Sequence, residues 1–139
     1  GTDNTTYMSP LRVKQRMVAN PPRYIWKQQI IVEPDDIINL VTIMNNIDGE
    51  GEYLFEIIGY NGKWWGEIRF SASSSFSVSD HCIAKISFID SELGGTISVY
   101  TYDNTHQSRC FSTSSSYPAF YADYENSEDM EINVYRLGW

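Results

Sequence analysis

His81 and His106 are the only histidines in the sequence, and histidine is the side chain that ordinarily exchanges protons near neutral pH. Neither lies in a recognisable catalytic motif. The serine-rich segments 73–75 and 112–116 lack the Gly-x-Ser-x-Gly turn that presents a nucleophilic serine in many hydrolases. The residue types and their spacing therefore do not indicate nucleophilic catalysis.

Acidic residues occur close together in three places, at 35–36, 50–52 and 128–129. Hydrolysis of a glycosidic bond needs two carboxylates on opposite sides of one sugar linkage. Short strands also do not supply the long groove that a polysaccharide-cleaving β-helix provides. We therefore expect a protein that binds rather than catalyses, with a carbohydrate-active enzyme as an alternative.

Four side chains of types that bind zinc are His81, Cys82, His106 and Cys110. Their spacing matches no zinc finger, and His81 and Cys82 would point to opposite faces of a strand. The acidic loops at 48–52 and 125–129 lack the EF-hand pattern. We predict no metal and no cofactor. Both cysteines lie in strand-like sequence, which favours buried free thiols, with a single bridge between strands as the alternative.

Aromatic rings beside polar groups are suited to sugars, because sugar C–H faces pack on rings and sugar hydroxyls pair with amide, carboxylate or guanidinium groups. The segments 102–109 and 117–124 combine such groups. Trp64 and Trp65 are adjacent, so on a strand one faces the core and the other faces solvent or a subunit interface. The candidate ligand-binding residues are Trp64, Trp65, Tyr102, Asp103, Asn104, His106, Arg109, Tyr117 and Tyr121.

The elements that must position these residues are predicted to be short strands, since β-branched and aromatic residues recur in runs separated by turn residues. Segment 37–45 has the apolar density of a helix, but five of its residues are β-branched, which favours a strand. Asn61-Gly62 predicts a tight hairpin between strands 53–60 and 63–73. The segment 73–80 reads as a serine-rich connector.

Strand 81–89 alternates well, with Cys82, Ala84, Ile86 and Phe88 on one face. The remaining predicted strands are 24–33, 96–102, 109–112, 118–124 and 130–137. Eight or nine short strands separated by turns predict an all-β fold, an antiparallel β-sandwich of the jelly-roll type. We assign this β-sandwich to residues 23–139 and call it the head domain.

Residues 1–22 differ from the rest and predict a neck or linker with a short helix. Ser9 is a good N-cap, Pro10 suits the first helical position, and Asn20-Pro21-Pro22 ends the helix. A helix of about ten residues is marginal alone in water, because nucleation is unfavourable. It must therefore bury its apolar surface, either among three copies around an axis or on the body. That surface consists of Leu11, Val13, Met17 and Val18.

The net charge of −8 is unevenly distributed, because residues 1–27 hold five basic residues and one acidic residue. The remainder is strongly acidic and would repel phosphate backbones, which argues against a nucleic-acid partner. It also disfavours anionic membrane surfaces, and no apolar run is long enough to span a bilayer. The acidic charge does not exclude neutral or cationic partners, which include most sugars. The chain begins at Gly1 rather than with methionine, which is compatible with a fragment of a longer protein.

The segment from Thr2 to Gln15 reads Thr-Asp-Asn-Thr-Thr-Tyr-Met-Ser-Pro-Leu-Arg-Val-Lys-Gln. It resembles a segment of bacteriophage tail-fibre and receptor-binding proteins, in which Thr-Thr-Tyr-Met-(Thr/Ser)-Pro leads into a short basic helix before the C-terminal head. The resemblance covers about a tenth of the chain. The body from residue 23 onward matches no family motif residue by residue.

This resemblance implies a homotrimer at the tip of an elongated fibre, joined to the remainder of that fibre and located in the virion. Such fibres assemble in the cytoplasm of the bacterial host. The head would attach the virion to a host-surface saccharide or protein receptor, and the apolar helix residues would form the trimer neck. The alternatives are a structural cap that trimerises the fibre without touching a receptor, a carbohydrate-active enzyme domain, and a non-viral carbohydrate-binding module.

Overall fold

The computed structural model describes residues 23–47, 49–59, 64–79, 81–90, 93–101, 105–112, 117–126 and 130–138. These residues form ten strands and one helix. They are β1 Arg23–Val32, β2 Ile37–Asn39, α1 Leu40–Ile47, β3 Gly51–Ile58, β4 Trp64–Ser71, β5 Ser74–Ser79, β6 His81–Asp90, β7 Gly94–Thr101, β8 His106–Phe111, β9 Ala119–Ala122 and β10 Met130–Gly138. The predicted helix 10–19 and its apolar residues Leu11, Val13, Met17 and Val18 lie outside the described residues.

The strands form two antiparallel sheets. One has the order β1-β10-β3-β6-β7-β8 and the other the order β2-β9-β4-β5. The predicted all-β, sandwich-like fold is confirmed, with ten strands where eight or nine were predicted. None of the helices within the described residues combines the length and apolar character that crossing a bilayer requires.

The main core lies between the two sheets, because alternate residues of each strand point inward. On β6 the predicted alternation is confirmed, with Cys82, Ala84, Ile86 and Phe88 all buried in this core. The fully buried large side chains include Trp65, Tyr53, Phe55 and Phe120. A second, smaller cluster on the opposite face of the six-stranded sheet consists of Leu54, Ile83, Tyr135 and Leu137.

The predicted hairpin at Asn61-Gly62 is wrong, because the two strands that it would join, β3 and β4, do not pair with each other. β3 lies between β10 and β6 in the six-stranded sheet, so both of its edges are occupied. β4 pairs instead with β5 and β9 in the other sheet. The connection therefore crosses between sheets. Gly59, which follows β3, packs closely on the core, since a Cβ added there would lie 2.1 Å from ring atoms of Trp65.

The predicted strand 37–45 is a strand only as far as Asn39, and the helix α1 follows. The amide of Thr42 donates a hydrogen bond to Oδ1 of Asn39 at 3.1 Å, so Asn39 acts as the N-cap. Leu40 and Met44, four residues apart, are both buried. Burial of one helical face thus outweighs the weak strand preference of the β-branched residues.

The segment predicted as a serine-rich connector, 73–80, belongs largely to a strand. It contains β5, in which Phe76 and Val78 are buried while Ser75 and Ser77 are exposed. The serine content obscured this alternation of period two. Similarly, β8 begins at His106, three residues before the predicted strand 109–112.

Every strand runs between two ends of the sandwich. Arg23 pairs with Gly138 at the end where residues 1–22 join, which we call the neck end. His81 pairs with Ile58 at the opposite end, the distal end. A single residue separates β5 from β6, so Ser79 and its partner Trp64 also lie at the distal end.

Candidate ligand-binding face

A β-bulge at the start of β4 determines where its two tryptophans point. The register shifts between Trp64, which pairs with Ser79, and Gly66, which pairs with Val78. Trp65 is fully buried, whereas Trp64 is 42 % exposed. The prediction that one tryptophan of the pair faces the core is thus confirmed. Because it lies in the core, Trp65 is inaccessible to a ligand and leaves the candidate site.

The bulge depends on Gly66. Its φ is +155°, a conformation that L side chains rarely adopt, and a Cβ there would lie 2.1 Å from the carbonyl oxygen of Tyr121. The extra residue places Trp64 on the same face as Glu67 and Arg69, since the serines opposite all three alternate along β5. We call this surface the outer face of the four-stranded sheet.

Arg69 is the charged centre of the outer face. Its Nε forms an ion pair and hydrogen bond with Oε1 of Glu67. Its guanidinium lies over the ring of Tyr121, 4.2 Å from the ring centroid. The other carboxylate oxygen of Glu67 accepts a hydrogen bond from the hydroxyl of Ser75 at 3.1 Å. Four side chains from three neighbouring strands therefore form one connected polar cluster.

Tyr117 and Tyr121 meet at the same place. Partial burial is the main reason why the pKa of Tyr121 is raised, and a hydrogen bond with Tyr117 is the second reason. The hydroxyl of Tyr121 therefore stays protonated at neutral pH and can donate a hydrogen bond. The hydrogen bond with Glu67 raises the pKa of Arg69, so the guanidinium keeps its charge.

The surroundings of this cluster combine hydroxyl groups with one apolar side chain. Ser75 and Ser77 are exposed on β5, and Ile37 of β2, which pairs with Tyr121, is 65 % exposed. Donors, acceptors and apolar surface thus lie side by side on an accessible sheet. This combination is suited to a polyhydroxylated ligand with C–H faces.

Two other predicted residues, Arg109 and His106, lie away from this face. Arg109 is exposed on the edge strand β8, where its guanidinium lies 5.6 Å from the ring centroid of Phe76 and 6.0 Å from that of Phe70. It therefore lies beside the edge of the core and not in the cluster around Arg69. His106 stacks on Tyr100 of the six-stranded sheet at 4.5 Å, and partial burial lowers its pKa.

Tyr102, Asp103 and Asn104 lie outside the described residues. The flanking residues are held together, because the amide of Thr101 donates to the carbonyl oxygen of Thr105 at 2.9 Å. The amide of Thr105 in turn donates to the hydroxyl of Thr101 at 3.1 Å. Thr101 and Thr105 thus lie close together at the distal end of the six-stranded sheet.

Glu67, Arg69 and Ser75 were missed by the sequence analysis. The available signal was the alternation Glu67-Ile68-Arg69, in which charged residues flank a buried isoleucine on a strand. Sequence alone did not show that β9 pairs with β4, and this pairing brings Tyr121 opposite Glu67.

Both cysteines in the described residues are free, but only Cys82 is buried as predicted, since Cys110 is exposed. Burial raises the pKa of Cys82 to about 12. His81 pairs with Glu56 at 3.2 Å on the face opposite Cys82, as expected for adjacent strand residues. The described part of the chain holds no group of three or more His, Cys, Asp or Glu side chains arranged to bind a metal ion.

Comparison with known proteins gives no match: no family model, curated protein or solved structure is similar to this chain. Function is therefore inferred from the outer face itself and from the residues that meet there.

Proposed function

We propose that this chain is the receptor-binding head of a phage tail fibre, which binds host-surface saccharide on the outer face of its four-stranded sheet. The observation that carries this proposal is the grouping of Trp64, Tyr117 and Tyr121 on one accessible face with Arg69 and Glu67. Aromatic rings offer packing surface for sugar rings, and the polar groups fix their orientation.

The finer fold that we propose is a jelly roll. Four antiparallel pairs are nested along the chain: β1 with β10, β2 with β9, β3 with β6 and β4 with β5. Rolling such a nested hairpin into two sheets gives the orders β1-β10-β3-β6 and β2-β9-β4-β5, with the hairpin β7–β8 added at one edge. Jelly rolls occur in viral capsid and lectin domains, which agrees with the proposed function.

The head works as a homotrimer in the virion, with residues 1–22 as the neck that connects it to the remainder of the fibre. The position of Arg23 supports this orientation, because it lies at the neck end, whereas Trp64 lies at the distal end. Three heads per fibre would raise the avidity of individually weak contacts through effective concentration.

Binding, without catalysis, is the proposed activity. Among the strands β2, β4, β5 and β9, Glu67 is the only acidic residue. Hydrolysis of a glycosidic bond uses two carboxylates, so a single one suits recognition better than cleavage.

A glycan array probed with the intact chain tests this proposal. We expect the wild-type protein to bind at least one surface saccharide, and Trp64→Ala and Tyr121→Ala each to weaken that binding by about tenfold or more. Tyr100→Ala is the matched control, because Tyr100 is a half-buried tyrosine of the other sheet. A correctly folded wild-type protein that binds no saccharide on the array would contradict the proposal.

A further inference from the structure

The guanidinium of Arg69 is held from two sides. Glu67 holds its Nε, and the ring of Tyr121 lies beneath its plane. The Arg69 side chain nevertheless remains 41 % exposed and that of Glu67 22 % exposed, so both can reach a ligand. A long side chain that is already fixed loses less conformational entropy on binding than a free one.

Donors and an acceptor lie next to each other in this cluster. Arg69 has N–H donors beyond the Nε–H that Glu67 holds. Glu67 accepts hydrogen bonds from Arg69 and Ser75, and a carboxylate has about four lone-pair sites, so it can accept from a ligand as well. Two adjacent hydroxyl groups of a sugar both donate and accept, and they therefore match the cluster.

The charges of the cluster and of the whole chain favour neutral ligands over acidic ones. The positive charge of Arg69 is balanced by Glu67, and an anionic ligand beside Arg69 would be repelled by that carboxylate. The chain as a whole carries a net charge of −8, which adds repulsion over longer distances. A neutral ligand meets neither cost.

Trp64 extends the face toward the distal end. Trp64 and Glu67 lie opposite Ser79 and Ser77. These serines are two residues apart on β5, which corresponds to about 7 Å along the sheet at the usual rise of a strand. An oligosaccharide anchored at Arg69 can therefore place its next sugar units over the exposed ring of Trp64.

We infer that the Arg69–Glu67–Tyr121 cluster binds a neutral saccharide through two adjacent hydroxyl groups, with Trp64 packing against a neighbouring sugar unit. This inference rests on the proposed function and specifies the ligand class and the residues of that same site. The ligand class excludes saccharides rich in uronic acids or other anionic groups.

The test measures the affinity of the full chain for neutral oligosaccharides of glucose, galactose, mannose and rhamnose, and for uronic-acid oligosaccharides of equal length. We expect binding to at least one neutral probe and none to the acidic probes. Arg69→Lys keeps the charge but removes the planar donor group, and Glu67→Gln removes the anion. Both should weaken neutral binding by at least about tenfold with an unchanged melting temperature. Ser87→Ala, on β6 of the six-stranded sheet and therefore away from the outer face, is the control and should bind like the wild type.

Three results would overturn the inference in different ways. Binding of acidic probes that becomes stronger in Glu67→Gln would identify an anion site. Neutral binding that persists in both variants would overturn the inferred role of the Arg69–Glu67–Tyr121 cluster, while saccharide binding itself would remain as the activity of the chain. Failure of the wild-type protein to bind any saccharide, in this panel and on the array, would remove the proposed function together with the inference.

Discussion

At the scale of single residues, we expect the side-chain contacts on the outer face to matter more for ligand binding than for the stability of the fold. An exposed ion pair such as Arg69–Glu67 contributes little to folding, because solvent screens it. Its effect is to fix a guanidinium that would otherwise sample many rotamers. Substitutions in the cluster should therefore reduce ligand binding while the protein remains folded.

The two cysteines should differ sharply in reactivity. Cys82 is fully buried, and its pKa is raised to about 12, so its thiol stays protonated and shielded in the folded protein. Cys110 is exposed. We expect iodoacetamide at mildly alkaline pH to modify Cys110 within minutes and to leave Cys82 unmodified until the protein unfolds, as mass spectrometry of the intact and digested chain would show. Rapid modification of Cys82 under native conditions would contradict its placement in the core.

The candidate site could be predicted in part at this scale. The three aromatic residues Trp64, Tyr117 and Tyr121 were selected for their residue type. Strand register indicates that Trp64 and Tyr121 lie on the outer face, and Tyr117 forms a hydrogen bond with Tyr121. Arg109 was selected for its charge, yet it lies beside Phe70 and Phe76, because a guanidinium can pack on aromatic rings as well as bind ligands. Residue type gives the available chemistry, whereas the pairing of distant strands decides which side chains meet.

At the scale of elements, the bulge in β4 links local backbone geometry to the site. It turns Trp64 outward and Trp65 inward, and it requires a residue without a side chain where the backbone of β9 passes closely. Bulges commonly redirect side chains near functional sites.

Gly66→Ala should therefore destabilise the protein by at least about 2 kcal/mol, because the added Cβ meets the Tyr121 carbonyl and the φ angle is unfavourable. Chemical denaturation measures this change. Gly49→Ala is the matched control, since Gly49 also has a positive φ, +72°, but nothing lies within 4 Å of the added Cβ. Its cost should be only about 1 kcal/mol. Equal destabilisation by the two variants would argue against the close approach of β9.

The helix α1 gives a second prediction at this scale. Asn39→Ala removes the side chain that accepts the hydrogen bond from the Thr42 amide, and it should lower the free energy of unfolding by about 1 kcal/mol. Asn39→Asp keeps an acceptor at the same position and should retain most of the stability. If urea denaturation gives the same loss for both variants, the capping role of Asn39 is wrong.

Strands with regular alternation, such as β6, could be predicted from the sequence because burial imposes a period of two. Segment 37–45 could not, since β-branched residues favour strands only weakly and burial of Leu40 and Met44 on one helical face outweighs that preference. The prediction of a hairpin at Asn61-Gly62 was wrong for a different reason. A turn motif specifies local backbone geometry, but the occupied edges of β3 determined that β4 would join the other sheet.

At the scale of the whole molecule, the candidate site and the chain's N-terminal segment lie toward different ends of the sandwich. Residues 1–22 join at the neck end, and Trp64 lies at the distal end. In the proposed fibre tip, this arrangement would place Trp64 at the end farther from the fibre. The all-β architecture could be predicted from composition and strand spacing, whereas the strand order required the tertiary structure.

The trimer is predicted at the same scale. Light scattering at micromolar concentration should give the mass of three chains of 16.0 kDa. Met17→Asp, on the apolar side of the neck segment, should weaken assembly, because a charge cannot be buried without a partner. Gln15→Asp introduces the same charge outside the apolar set and serves as the control. A wild-type protein that is monomeric under these conditions would contradict the trimer.

The most direct measurement of the central claim is the NMR spectrum of the chain with and without a saccharide that binds it. The tryptophan indole N–H signals report on separate places, because Trp64 is exposed on the outer face and Trp65 is buried in the core. We predict that ligand shifts the indole signal of Trp64 and the Nε–H signal of Arg69, and leaves the Trp65 signal nearly unchanged. Shifts confined to residues of the six-stranded sheet, such as Tyr100 and His106, would contradict the account.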